Sequence, residues 1–193
     1  MKNSIKLFDY NLPMELIADT PRARREQAKL MVYNKKTDDV MHSSFLSLDK
    51  YLDKGDLLIL NDTKVIPGRL FLKKESGGTV EILFHKSINK YSFICIFKSS
   101  RKIAINSKLF VDDKNFFKVD AVNKNFITLS SNNDPVTIFS KYGQVPLPKY
   151  IKRKATKKDV ERYQTVYAKK LGSVAAPTAG LHFTRDILSK LKN

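Results

Sequence analysis

The alternation of apolar and polar positions changes character twice along this chain, near Arg69 and again near Ser131. Up to residue 69, short helices and strands are mixed. Pro13 stands before Met14-Glu15-Leu16-Ile17-Ala18 and suits the first turn of a short helix there. Leu30 to Tyr33 reads as a strand, and Ser47 as the cap of a single turn through Tyr51 and Leu52 that stops at Gly55. The uninterrupted run Leu57-Leu58-Ile59-Leu60 predicts a strand buried on both faces.

Between the two changes lie short apolar or alternating runs at Arg69–Leu72, Thr79–Phe84, Tyr91–Phe97, Ile103–Val111, Phe116–Val122 and Phe126–Ser130. Gly77-Gly78, Asn89-Lys90, Asp112-Asp113 and Asn123-Lys124-Asn125 punctuate them as turns. Strands at this spacing predict a small antiparallel barrel or sandwich. Helical signals then return. Asp134 as N-cap, Pro135 at the first position and Gly143 at the stop bound a helix over 135–142. Thr156 or Asp159 opens another, with Val160, Tyr163 and Tyr167 on one face. Thr184 opens a last helix, whose Ile187, Leu188 and Leu191 ask for a partner that no later residue supplies. The expected class is mixed α/β: residues 1–69 begin an α/β domain, 70–148 form an inserted β-barrel domain, and 149–193 return to the α/β domain.

Composition narrows the function classes. The hydrophobic fraction of 42% and charged fraction of 28% are those of a soluble globular chain. The longest apolar runs hold four residues, too short for a membrane span, and the start has no signal-peptide core. Cys95 is the single cysteine, so no intrachain disulfide forms, and a reducing cytosol is the expected compartment. His42, His85 and His182 are widely separated and offer no zinc-ligand spacing, so no metal is expected. The net charge of +17 points to a polyanion, RNA or DNA first. Adenine- and thymine-rich coding competes with that explanation, because 28 of the 36 basic residues are lysine and only 8 arginine.

One stretch is hard to explain as packing. Residues 172–184 bracket small side chains between Gly172 and Gly180, with Pro177 in the centre and His182 directly after. Glycine permits positive φ and close approach, and proline fixes its own φ, so this is a stiff loop against which a ligand can sit, or a tight connection anchored by Leu181 and Phe183. A second stretch, Asn61-Asp62-Thr63-Lys64, falls at the expected carboxyl end of the 57–60 strand, where α/β sheets place ligands; an Asx turn accounts for it equally. A third is the block from Gly143 through Pro146, Pro148 and Ile151, followed by Glu161 to Ala168.

These three blocks, with the opening Asp9-Tyr10-Asn11-Leu12-Pro13-Met14-Glu15-Leu16-Ile17-Ala18, resemble the S-adenosylmethionine:tRNA ribosyltransferase-isomerase family of queuosine biosynthesis. The resemblance implies a discontinuous α/β domain, incomplete here, with an inserted small antiparallel β-barrel, and a chain that holds roughly the family's first half. It implies transfer and isomerisation of the ribosyl moiety of S-adenosylmethionine onto 7-aminomethyl-7-deazaguanine at the tRNA wobble position, giving epoxyqueuosine. S-adenosylmethionine is then a substrate, no cofactor is permanently bound, and the partner is tRNA carrying the pre-queuosine base. A cytoplasmic monomer without membrane contact is expected. Proton transfer falls to His182 and Asp62, substrate contacts to Asn61, Thr63, Lys64, Pro177, Thr178, Ala179, Gly180 and Phe183, and RNA contacts to Lys149, Tyr150, Lys152, Arg153 and Lys154. Those two segments are expected to face one cavity across the same sheet. Lys64 and Gly68 stand where the family pattern has arginine and alanine, and Gln27-Ala28-Lys29-Leu30 replaces a serine-arginine-leucine sequence, which removes guanidinium fork geometry at two positions. The alternative is an inactive truncated relative acting as a basic RNA-binding module.

Overall fold

Six antiparallel strands close into a barrel in the middle of the chain. The computed structural model describes residues 5–148 and 150–192. Ahead of the barrel are β1 (Lys29–Asn34), β2 (Asp39–Ser44) and β3 (Thr63–Val65). The barrel strands are β4 (Arg69–Lys74), β5 (Thr79–Ser87), β6 (Ser92–Ser99), β7 (Lys108–Phe110), β8 (Phe116–Asn123) and β9 (Phe126–Ser130). They run in the order β4-β5-β6-β9-β8-β7, and β7 pairs back with β4. Strict alternation makes this possible. Leu70 and Leu72, Val80 and Ile82, Phe93 and Cys95, Phe117 and Val119, and Ile127 and Leu129 all point inward and are buried, while the residues between them face out.

Helix α1 (Pro135–Tyr142) stops one end of this core with Ile138 and Phe139. The Phe139 ring lies within 5.6 Å of Phe84 and Phe93 in edge-on geometry, the arrangement favoured by aromatic quadrupoles. Asp134 caps the helix by accepting from the Val136 N–H at 3.0 Å, and Gly143 ends it, as expected. A Cβ at Gly143 would overlap the carbonyl oxygens of Pro67 and Phe139. Close approach therefore requires glycine here. It lets Gln144 and Arg69 exchange backbone hydrogen bonds at 2.8 and 3.2 Å, which ties the exit from α1 to the start of the barrel.

The remaining elements are α2 (Lys157–Arg162), β10 (Lys170–Ser173) and α3 (Arg185–Lys190). Thr156 and Asp159 form a capping box at α2, and Thr184 caps α3. β10 pairs in parallel with β3, so residues a hundred positions apart become neighbours. Two small cores flank this pair. One holds Val65, Val145, Leu147, Tyr163 and Ala176; the other holds Phe45, Phe183 and Ile187. Among the described residues no helix is long and apolar enough to cross a membrane.

Several expectations are corrected. Leu57 to Leu60 form no strand, and Leu57 and Ile59 are more than four-fifths exposed. A strand buried on both faces needs neighbours and covering layers, and no described strand pairs with this run. Ser44 rather than Ser47 caps the turn Phe45–Tyr51, because its hydroxyl accepts from the Leu46 N–H. Only Lys108–Phe110 of the expected Ile103–Val111 strand pairs; the chain turns at Asn106, whose φ is 66°. The common face of Val160, Tyr163 and Tyr167 also fails. Helix α2 ends at Arg162, Val160 is exposed and Tyr163 is buried. The partner sought by Ile187 and Leu191 comes from earlier in the chain, where Phe45, Leu30 and Leu48 pack on α3.

Candidate active site

The 172–184 loop leaves β10, curls through a single 3-10 turn at Thr178–His182, and delivers His182 half-buried against Phe45, ring centroids 5.4 Å apart. Its two glycines do different work. Gly172 has φ +132° in an irregular step of β10, a conformation that side chains rarely adopt. Gly180 is needed for space, since a Cβ there would overlap the Tyr167 hydroxyl and stand 3.0 Å from Thr165 Cγ2. The Gly180 N–H donates to the Pro177 carbonyl at 2.8 Å, so it is committed within the turn, while Thr178 and Ala179 are exposed. Phe183 is buried edge-on to Phe45 at 4.9 Å and anchors the loop.

Two side chains that sequence reasoning did not single out hold this loop to the rest. The Gln164 amide exchanges two hydrogen bonds with the Val65 backbone, at 2.9 and 3.0 Å, and stands in for a strand partner of β3. The Arg25 guanidinium donates to the carbonyls of Gln164 (2.7 Å), Leu181 (3.1 Å) and Glu161 (2.8 Å), and so clamps the end of α2 to the residue before His182. Arg25 has no carboxylate partner among the described residues. Burial, and then the charge of Arg25, push the His182 pKa below the usual imidazole value. Both effects favour the neutral imidazole, the form that can accept a proton.

His182 lines a cavity of about 500 Å³ together with Arg22, Arg25, Lys29 and Arg162, closed by Leu16, Ala18, Thr20, Pro21, Ala28 and Leu181. Four cations and no carboxylate face this space. Its best signal in the sequence was the cluster of Arg22, Arg24 and Arg25, three of eight arginines within four positions. A second cavity of about 450 Å³ shares Thr20, Pro21, Arg22 and Arg162 with the first and adds Arg153, Lys158 and Asp159.

The Asn61–Lys64 segment meets the loop through the sheet and not through this cavity. It precedes and enters β3 rather than closing a strand at 57–60, because that run never pairs. Asn61 Oδ1 accepts from the Thr63 N–H at 3.0 Å, an Asx turn. The Asp62 carbonyl accepts from the N–H groups of Lys169 and Lys170, and its carboxylate lies 3.7 Å from Lys170 Nζ, well exposed to water. Thr63 and Lys64 pair in register with Lys170 and Leu171. Pro177 is half-buried and opens the 3-10 turn. Of the expected RNA contacts, Lys149 lies outside the described residues. Tyr150, Lys152 and Lys154 are exposed. Arg153 is committed: its guanidinium forks onto the Asp159 carboxylate at 2.7 and 2.8 Å and also donates to the Asp19 carbonyl. Among the described residues no group of three or more His, Cys, Asp or Glu side chains is placed to hold a metal ion.

The chain is thus of the mixed α/β class with an inserted closed antiparallel barrel, and carries a histidine on a cation-lined cavity. Its family follows from comparison. The family model described as "Queuosine biosynthesis protein" matches residues 5–193, and the chain belongs to that family. The S-adenosylmethionine:tRNA ribosyltransferase-isomerase of Carboxydothermus hydrogenoformans is 45% identical over 193 residues, covering 98% of this chain and 56% of that protein. The protein of that name from Fusobacterium nucleatum is 40% identical over 196 residues, covering 99% of this chain and 55% of its own length. A solved S-adenosylmethionine tRNA ribosyltransferase from Thermotoga maritima is 28% identical, with a TM-score of 0.36 and coverage of 96% of this chain and 53% of that one. The chain thus spans about half the length of the curated relatives it matches.

Proposed function

We propose that this chain supplies part of an enzyme that transfers and isomerises the ribosyl moiety of S-adenosylmethionine onto 7-aminomethyl-7-deazaguanine at the wobble position of tRNA, giving epoxyqueuosine. The observation that carries the reading is the family match over residues 5–193. The curated relatives' names specify the donor and the tRNA; the base, the wobble position and the product are the finer part of the proposal. A cytoplasmic monomer fits this work.

The geometry supports particular roles. The sulfonium acidifies the adjacent ribose carbon, and a neutral imidazole can take the proton released there. Once protonated, His182 is a stronger acid than an ordinary imidazolium, because burial and Arg25 disfavour its charge, and it suits proton delivery to the departing adenine. Asp62, the only carboxylate of the Asn61–Lys64 segment, is the candidate for a ribose hydroxyl or for the donor's cationic end. Asn61, Thr63 and Lys64 beside it, and Pro177, Thr178, Ala179 and Gly180 on the loop, shape the donor's surroundings. Phe183 acts from the core by fixing the loop. Tyr150, Lys152 and Lys154 remain candidates for RNA contact, as does Lys149; Arg153 contributes chiefly by holding the segment that carries them.

The test is incubation of the chain, by itself and as part of a full-length enzyme, with S-adenosylmethionine and tRNA bearing the precursor base, with mass spectrometry of the digested RNA and quantitation of released adenine and methionine. The expected result is epoxyqueuosine formation by the full-length enzyme that falls by roughly 10²-fold or more in His182→Ala, as for loss of a general acid–base group. A cooperatively folded chain that binds tRNA without forming product would instead establish the binding-module reading, which the cation-lined cavity also favours.

A further inference from the structure

The wall of the His182 cavity is unusual in its charge. Arg22, Arg25, Lys29 and Arg162 face it, and no aspartate or glutamate does. Of the acidic residues adjacent in sequence to the wall (Glu15, Asp19, Glu26 and Glu161), none lines it, and the Glu26 carboxylate pairs with Arg24 at 2.7 Å. Arg25 and Arg162 are satisfied only by neutral carbonyls, those of Gln164, Leu181 and Glu161 for the first and of Ala23 and Arg22 for the second. The side chains of Arg22 and Lys29 make no hydrogen bond or ion pair among the described residues. Four like charges on one wall repel one another, Glu26 from outside the cavity offsets only part of this at Arg162, and burial adds a desolvation cost at Arg25. The charge of Arg162 indeed opposes that of Arg25. An anion entering the cavity would relieve both costs.

The identity of the anion follows from the chemistry of the two substrates. S-adenosylmethionine carries a sulfonium and an ammonium against one carboxylate, so it is a net cation. Its ammonium would need a carboxylate partner, and this wall has none. RNA presents phosphates, and guanidinium forks suit phosphate oxygens. The second cavity continues the same wall through Arg22 and Arg162 to Lys158, beside the Arg153–Asp159 pair.

We infer that the cavity beside His182 is a phosphate site for the tRNA backbone, with Arg22 and Lys29 as the free cations that contact it, and that the donor's methionine carboxylate and ammonium lie elsewhere. The inference rests on the tRNA reading above and deepens it. His182 then faces the nucleotide whose phosphate is held, where a proton acceptor for the incoming ribosyl carbon has to stand.

The experiment measures binding of a fluorescein-labelled anticodon stem-loop RNA to the full chain by anisotropy across a salt series, and binding of S-adenosylmethionine by calorimetry. The variants are Arg22→Gln with Lys29→Gln, and a control of equal charge change, Lys35→Gln with Lys36→Gln, in the exposed β1–β2 turn. None of these side chains is buried, so a cooperative melt is retained. The cavity variant should lose roughly tenfold in RNA affinity at low salt, and its log–log salt slope should fall by about one for each phosphate contact removed. The control should keep the wild-type slope, and donor binding should be unchanged. An unchanged RNA slope in the cavity variant overturns the inference. So does loss of donor binding with RNA affinity intact, which would assign the anion to the methionine carboxylate. So does a folded wild-type chain with no RNA affinity. Because binding is read without turnover, a chain that binds RNA through these residues yet forms no epoxyqueuosine would sink the enzymatic reading alone.

Discussion

Arg25 is the residue on which the placement of His182 turns, and its replacement separates charge from geometry. The guanidinium bridges three backbone carbonyls from two segments, at 2.7, 2.8 and 3.1 Å. A hydrogen bond from a charged donor contributes about 1.5–3 kcal/mol when well buried, and less where water competes, as at Glu161. Two part-buried bonds and one exposed bond therefore stabilise the site by about 2–4 kcal/mol. Arg25→Met keeps the aliphatic stem and loses all three. Arg25→Lys keeps the charge, but a single Nζ cannot span carbonyls that a fork reaches together, so it should lose at least about 1 kcal/mol. Urea unfolding at constant slope measures both losses. The second readout is the His182 pKa, from NMR titration of its ring nitrogens. Removing the positive neighbour in Arg25→Met should raise it, while burial still holds it below the ordinary value; Arg25→Lys should leave it near wild type. Wild-type stability in Arg25→Lys would show that the fork is unnecessary. An unmoved His182 pKa in Arg25→Met would show that the imidazole does not feel this charge.

Asp159 gives a pH-dependent test. The Arg153 fork and two bonds from Thr156 hold its carboxyl well below the usual carboxylate range. A depressed folded pKa contributes stability that is complete above the unfolded value, about 4, and is lost as pH falls through the folded value. Wild-type stability should therefore decline below about pH 4. Asp159→Asn should unfold about 2–3 kcal/mol more easily at pH 7 and show a flatter acid limb, because it breaks a pair in which Arg153 keeps a quarter of its side-chain surface in water; urea melts from pH 7 to pH 3 check this. Gly143→Ala places a methyl into two backbone carbonyls that cannot swing away, a cost of about 3 kcal/mol. Calorimetry should find the melting temperature lower by about 6–12 °C, and an unchanged value would mean that α1 and the barrel are not docked through this contact.

Local chemistry determined a good part of this protein by itself. Alternation with period two named all six barrel strands, with the one at β7 drawn too long, because a closed barrel has a single inner face and each strand repeats that choice. Asp134, Pro135 and Gly143 bounded α1 because caps act on adjacent backbone groups. The family resemblance, carried by blocks of local sequence, is upheld by the match over residues 5–193. What lay beyond reach was anything that depends on a partner distant in the chain. Leu57–Leu60 has the composition of a buried strand, yet burial requires neighbours, which no run of four residues contains. Arg153 reads as a free cation until Asp159 folds back on it, and Gln164 reads as a surface amide until β3 arrives beside it. The charge of the His182 cavity is the clearest case. Its cations come from positions 22 to 29 and from 162, and only the packing of the Arg25 clamp against α2 and the 178–182 turn brings them to one wall, because electrostatic meaning depends on separation in space and not along the chain.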